Sequence, residues 1–493
     1  MTQINEIFLL IVGLIALALV LALAFMYVAD RMQVDDAIRR NFPILGRFRH
    51  AFLHLGEFFR AYFFAADREE LPFNRAEREW IDAASEKEIG DTVAFGSTRN
   101  LGLPGTAIFV NAAFPLLDQD MADTPLKTIG PNCPQPYTPG SCFNISAMSY
   151  GSISKPAVRA LAKGAARAGV WLNTGEGGLA PAHLEGGGEI VFQIGTAKYG
   201  VRQSDGQLDE AKFKAIAGNP QVKMIEIKLS QGAKPGKGGI LPAAKVSEEI
   251  AEIRGIPVGE DSLSPNRHPD IANASELLDQ IERLRRLSGK PVGFKAVFSG
   301  TELLDDLCKE LGQRGLSAAP DFITVDGGEG GTGASPMPLI DLVGLPLSEA
   351  LVMVSDQLHA HGLRERIRLI ASGKLVTPEN VAWALASGAD YCVSARGFMF
   401  ALGCIQALKC DKNSCPTGIT TNDPDLQKGL VVTDKAQRVA TYVAEMGKQL
   451  DMIAHACGVL SPDQLDRQHV RIVQNSRQST SLAQLSPWPQ RDE

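Results

Sequence analysis

The chain has 493 residues, with 49 basic and 56 acidic side chains giving a formal charge of −7, and it carries no basic tract suited to nucleic acid. Its 8 cysteines do not make a disulfide scaffold in a chain of this size, and their clustering points to a reducing compartment. The length exceeds one ordinary domain but accommodates one large barrel with appendages.

Ile7 to Val28 contains no charged residue. As a helix it would be about 33 Å long, enough to cross a bilayer. Residues 1–30 are therefore expected to form a transmembrane anchor. A cleaved signal peptide needs a basic leader, and only Glu6 is charged before Ile7. Arg31, Arg39, Arg40, Arg47 and Arg49 follow the span and place the next domain on the cytoplasmic side. Within the juxtamembrane and preamble region, 31–140, Phe48, Phe52, Leu55, Phe58, Phe59, Tyr62 and Phe63 are interleaved with basic residues. That pattern suits either a helix lying along the membrane surface or a face packed on the domain below.

From Cys142 onward strands and helices alternate, which implies a parallel α/β sheet. The apolar runs predict strands at Phe143 to Ala147, Val170 to Asn173, Met224 to Leu229, Val292 to Phe298, Phe322 to Asp326, Arg368 to Ala371 and Asp390 to Ser394. An eighth is expected at Glu189 to Ile194 or at Asp261 to Ser264. Together they predict a (β/α)8 TIM barrel over 141–421. A doubly wound open sheet is the rival, but it would lead to a glycine fingerprint on the first strand–helix turn, and SAMSYGSIS is not one.

Glycine-rich runs follow three of these strands: NTGEGG from Asn173, QGAKPGKGG from Gln231 and DGGEGGTG from Asp326. Such loops let backbone approach a flat ligand closely. After the last two strands, Ser372-Gly373-Lys374 and Ala395-Arg396-Gly397 each lead into a helix. The first helix opens at Thr377-Pro378, with the threonine hydroxyl as the expected cap. Backbone N–H groups at helix starts beside an arginine suit a phosphate monoester.

Directly downstream Cys404, Cys410 and Cys415 are spaced C-x5-C-x4-C. Three thiols this close suggest an iron–sulfur cluster, with a zinc site or unreactive buried cysteines as alternatives. No fourth ligand is evident nearby, which favours a three-iron cluster. The tail, 422–493, is expected to hold one helix from Ala436 to Cys457, a helix start at Ser461, and a polar, loose end.

The stretches ISAMSYGSISK, NTGEGG, IEIKLSQGAKPGKGG, DGGEGGTGASP and LGCIQALKCDKNSCPTGI resemble the FMN-binding synthase domain of glutamate synthase, in that family's order from about Asn144 to Thr421. NFPILGRFR and FNRAERE in the preamble resemble its short membrane-anchored members. The resemblance implies that Ala147, Met148 and Ser149 lie against the flavin ring. Gln193, Lys228 and Lys295 would line the ring and its pyrimidine edge, where reduced FMN carries negative charge; an ion pair with a neighbouring acid is the plain alternative for each lysine. Asp326, Gly327 and Gly328 would also contact the cofactor, with Gly373, Ala395 and Arg396 on its phosphate. Cys404, Cys410 and Cys415 would bind a 3Fe-4S cluster that passes single electrons to the flavin.

The family's reaction is reductive amination of 2-oxoglutarate with ammonia. By resemblance Gln231, Lys234 and Arg254 would bind the keto acid, and Glu176, together with Lys234, would serve catalysis; for Glu176, capping a loop is the structural alternative. The family usually reads QGAKPGEGGQLPG where this chain has Lys237 and Ile240, so the keto acid and the amine are open. The chain shows neither a glutaminase domain nor a nicotinamide-binding region. The expected partners are therefore ferredoxin or another redox protein and an ammonia-supplying subunit. A membrane FMN dehydrogenase oxidising an amine or hydroxy acid, or a non-catalytic electron-transfer subunit, are the competing readings.

Overall fold

Eight short parallel strands close into a barrel in the computed structural model, which describes residues 2–86, 94–120 and 122–489. They are β1 Phe143–Ile145, β2 Leu172–Asn173, β3 Ile190–Ile194, β4 Val222–Lys228, β5 Val292–Ala296, β6 Phe322–Asp326, β7 Arg368–Ser372 and β8 Tyr391–Ser394. The ring closes where β1 sets Phe143 opposite Cys392 of β8 and Ile145 opposite Leu172 of β2. Strands such as β3 and β6 are buried throughout. Covered on both faces, they read in sequence as continuous apolar runs.

The eighth strand is β3. The other candidate, Ser262–Leu263, instead pairs antiparallel with Ile240–Leu241 outside the barrel.

Helix Lys155–Ala168 starts on the Ser154 hydroxyl, which accepts from Ala157 N–H, and stops at Gly169 in the left-handed conformation. It packs on the tail helix Val432–Ala456 so closely that a Cβ at Gly164 would sit 2.5 Å from Val439 Cβ. Only glycine permits that approach. Helix Pro378–Ala386 begins as expected, with proline in its first turn, but the expected cap is corrected: Thr377 Oγ1 finds no partner among the described residues.

The loose end expected for the tail is also corrected. Val470–Asn475 and Gln478–Ser481 form an antiparallel sheet with Ala107–Phe109 of the preamble. Arg467 anchors it, fully buried, 2.6 Å from Asp356 and with its guanidinium 3.8 Å from the Trp488 ring centre.

The chain divides into two compact units, Met1–Ala76 and Glu77–Glu493, a boundary that falls inside the expected 31–140 segment. In the first, Gln3–Met32 is helical and long and apolar enough to cross a membrane. Asp30, fully buried, accepts from Arg39 at 2.6 Å and from Arg47 at 2.8 Å. Helix Leu45–Phe59 follows, with Phe48, Phe52, Leu55 and Phe59 exposed along one side.

Candidate active site

The C-terminal ends of all eight strands open onto one cavity with about 580 Å³ of empty volume. Its lining includes Ala147 and Ser149 after β1, Gly175 after β2, Gln193 of β3, Lys228 of β4 with Gln231 after it, Lys295 of β5, and Asp326 of β6 with Gly330 and Gly331 beyond. Ser372, Gly373 and Lys374 come from β7 and its loop, and Ser394, Ala395 and Arg396 from β8 and its loop.

One end of the cavity is cationic. Arg396 donates from Nη2 to the Glu329 carbonyl at 3.1 Å, and burial pushes its pKa down to about 10. A Cβ at Gly331 would lie 2.7 Å from its Nε, so the DGGEGGTG loop needs glycine to lie against the guanidinium. Lys374, half-buried and left-handed at φ 49°, stands near it, its pKa lowered by burial and then by the Arg396 charge. Glu329 and Glu77 lie close enough to act on both groups, and two buried cations side by side suit an anionic ligand such as a phosphate.

The other end is built from ion pairs. Lys228 Nζ is 2.8 Å from Glu176 Oε1, and the same ammonium is 2.8 Å from Gln231 Oε1. Lys295 Nζ is 3.1 Å from Asp326 Oδ2, which also accepts from Gly232 N–H at 2.9 Å. Both lysines thus have the acid partner that the plain alternative foresaw, and both still face the cavity.

Glu176 comes from the short turn Gly175–Gly177, held by its N–H to Ser149 Oγ at 3.1 Å. Gly195 and Gly239 leave room for it, since a Cβ on either would come within 2.5 Å of the Glu176 side chain. Burial would raise its pKa, but the charges of Lys228, Lys234 and Arg254 outweigh this and hold it below the usual value. Its Oε2 has no partner among the described residues.

Lys234 is buried, and burial, then the neighbouring Lys228 charge, pushes its pKa down to about 8. Arg254, at the end of helix Glu248–Arg254, is buried and not a surface group. It donates to the Tyr150 carbonyl and to Ser262 Oγ, both at 3.0 Å, with its guanidinium 5.0 Å from the Tyr199 ring centre, and its Nε finds no partner among the described residues. Glu176, Lys234 and Arg254 lie beyond the cavity lining, and Lys228 connects them to it.

Three expected contacts are placed differently. Met148 is buried outside the lining. Gly327 and Gly328 lie behind Gly330 and Gly331, their N–H groups donating to the carbonyls of Ser372 and Leu345, both at 2.8 Å. Lys237 is exposed, and Ile240 is half-buried in its strand pair.

Sequence reasoning missed Lys374 as a site residue, and it missed Glu226. The latter is buried in the barrel two residues before Lys228, accepting from Asn173, Gln193 and Thr324. The signal was present: alternate residues of a strand share a face, so the E of IEIK points the same way as its K.

The three cysteines lie in one loop wound through left-handed Gln406, Leu408 and Asn413. Gln406 N–H points at Cys404 Sγ at 3.4 Å, and Thr417 Oγ1 lies 3.4 Å from Cys415 Sγ. Among the described residues no group of three His, Cys, Asp or Glu side chains converges on a single-ion site. A three-iron cluster does not require that convergence, because each thiolate binds its own iron.

Residues 106–460 match the sequence model of a family described as the conserved region in glutamate synthase. The chain is 42% identical over 499 residues to the glutamate synthase large subunit-like protein YerD of Bacillus subtilis (strain 168), covering 93% of this chain and 94% of that one. It is 35% identical over 318 residues to an archaeal-type glutamate synthase (NADPH) of Thermotoga neapolitana, covering 64% of this chain but only 59% of that protein. Among solved structures, the flavin-binding domain of baker's yeast flavocytochrome b2 overlaps 81% of this chain and 80% of its own at 13% identity, with a TM-score of 0.46.

Proposed function

This chain belongs to the glutamate synthase family, and from that premise we propose that it is an FMN-dependent oxidoreductase that aminates 2-oxoglutarate, or a related keto acid, to the amino acid. The observation that carries the reading is a cavity at the C-terminal ends of the barrel strands with Lys374 and Arg396 at one end and, through Lys228, the buried group of Glu176, Lys234 and Arg254 at the other. A flavin phosphate needs the first end and a dicarboxylate the second.

FMN fits the residues present. Arg396, Lys374 and the backbone of Gly373 and Ala395 would hold the phosphate. Gln193, Lys228 and Lys295 line the cavity where the ring would lie, and the two lysine cations would suit its reduced form. When bound, FMN supplies hydride to the carbon of the imine that forms between keto acid and ammonia.

The chain's own residues do the rest. Lys234 and Arg254 bind the substrate carboxylates, and their burial strengthens each contact by excluding water. Gln231, tied to Lys228, orients the keto acid. Glu176, with its free Oε2, takes and returns the proton on the amine nitrogen.

Cys404, Cys410 and Cys415 would hold a 3Fe-4S cluster, with Gln406 N–H and Thr417 Oγ1 placed to hydrogen-bond the sulfurs of Cys404 and Cys415. Such a cluster would supply one-electron transfer between the flavin and ferredoxin or another redox partner. Ammonia comes from solution or from a supplying subunit. The helix within Thr2–Met32 anchors the protein in a membrane as a single pass with the barrel on the cytoplasmic side, and the exposed aromatic side of Leu45–Phe59 lies along that surface.

The test is product formation. Protein loaded with FMN and iron, supplied with a reduced viologen, 2-oxoglutarate and 15N-ammonium, should yield 15N-glutamate. Absence of labelled glutamate, with FMN and iron quantified as present, would remove this substrate pair.

A further inference from the structure

Beneath the cavity, Glu226 is a buried carboxylate whose hydrogen-bond donors among the described residues are all neutral. Its Oε1 accepts from Asn173 Nδ2 at 2.8 Å and from Gln193 Nε2 at 2.7 Å, and its Oε2 accepts from Thr324 Oγ1 at 2.6 Å. These donors come from β2, β3 and β6, so one side chain ties three strands of the barrel together. Burying a carboxylate costs far more than burying the apolar residues that fill a barrel elsewhere. A packing role alone would not favour glutamate at this position.

The consequence for Gln193 is specific. With Nε2 committed downward to Glu226, the amide turns Oε1 toward the cavity that Gln193 lines. Asn173 transmits the same constraint sideways: its Oδ1 accepts from Gly175 N–H at 3.0 Å, at the turn that carries Glu176. An acceptor, not a donor, is therefore presented to the wall.

We propose that Glu226 is a positioning residue that locks the Gln193 carboxamide with its oxygen toward the flavin, so that it reads the N3–H of the pyrimidine edge. The inference rests on the FMN reading given above. In Glu226→Gln the new amide can donate to Gln193 Oε1, which lets Gln193 turn over and present its NH2 group. A donor there, and one negative charge fewer below the ring, both favour the reduced, anionic flavin.

The experiment uses full-length, FMN-replete protein in detergent and reads the flavin midpoint potential in the wild type, Glu226→Gln, Gln193→Ala and the double variant. Glu226→Gln should favour the reduced state about tenfold, a rise of ~30 mV for a two-electron couple. In the Gln193→Ala background only the part due to the lost charge should remain, so the rise should be clearly smaller there, because contacting residues are not additive.

An equal rise in both backgrounds would show that Glu226 acts as a bare charge and overturn the positioning role, as would no rise at all. A second measurement does not depend on the Glu226 variant folding: wild-type protein should bind 3-methyl-FMN at least tenfold more weakly than FMN, and Gln193→Ala should lose that discrimination. Equal binding by the wild type would overturn the proposal. Protein that takes up neither flavin would refute the FMN reading itself, an outcome distinct from an FMN-loaded protein whose potential does not respond.

Discussion

Lys228 Nζ lies 2.8 Å from Glu176 Oε1, and through this contact the cavity floor meets the buried cations Lys234 and Arg254. Replacing the carboxylate separates its two roles. Glu176→Gln should lower kcat roughly 10²- to 10⁴-fold, the usual worth of a positioned proton-transfer group. KM for the keto acid should stay level or fall, because the pocket becomes more positive. Steady-state kinetics with an artificial reductant would show the split, and a higher KM with unchanged kcat would assign Glu176 to binding alone.

Lys234 predicts a pH dependence. Burial and Lys228 favour its neutral form, so it binds an anionic carboxylate below about pH 8 and loses that ability above it. The free enzyme's value governs kcat/KM. That ratio should therefore fall about tenfold per pH unit above pH 8, and Lys234→Met should remove this limb while lowering the plateau.

Two histidines predict an acid weakness of the barrel. Burial pushes both His183 and His268 down to about 4. His183 Nδ1 accepts from Ala180 N–H, which only an unprotonated nitrogen can do, whereas His268 Nε2 lies 3.0 Å from the Lys228 carbonyl, a contact that favours the charged ring but is outweighed by burial. Between pH 6.5 and 4 the unfolded chain takes up protons that the native chain refuses. Stability is thus full above pH 6.5 and falls through this window, by roughly 3 kcal/mol for each residue at full effect. Chemical denaturation at pH 7 and pH 5 should show the loss, reduced in His183→Gln or His268→Gln.

Much of this architecture was legible because its physical signals are local. The strand Phe322–Asp326 begins and ends where its apolar run does, and the glycine-rich loops fall at strand ends because backbone must pass close to neighbours such as Arg396. Other features depend on partners far away in sequence. The ordering of the tail required Asp356 against Arg467, and the choice of Ile190–Ile194 over Ser262–Leu263 required knowing which strand Val222–Lys228 pairs with. Thr377 shows the reverse failure: a residue suited to capping sits at the cap position, and its hydroxyl is not used. For Glu226 the strand pattern disclosed the shared face with Lys228 but not its partners, because the three donors that converge on it come from other strands.

The phosphate end makes a prediction independent of turnover. Arg396→Met should weaken FMN retention by about 10- to 100-fold, since a charge-assisted hydrogen bond contributes roughly 1.5–3 kcal/mol. Lys374→Met should have a smaller effect of the same sign, because that side chain is only half-buried. Gel filtration with flavin fluorescence would measure both; full retention in Arg396→Met would move the phosphate elsewhere.

The central claim is that a reduced flavin in this barrel is reoxidised by a keto acid and ammonia. Anaerobic stopped-flow on cluster-intact protein tests it most directly, with the flavin chemically reduced and its absorbance followed after mixing with 2-oxoglutarate and ammonium. Rapid reoxidation that requires both reactants and matches glutamate formed is the predicted result. A flavin that stays reduced, with FMN and iron confirmed in the sample, would contradict amination of 2-oxoglutarate by this chain alone.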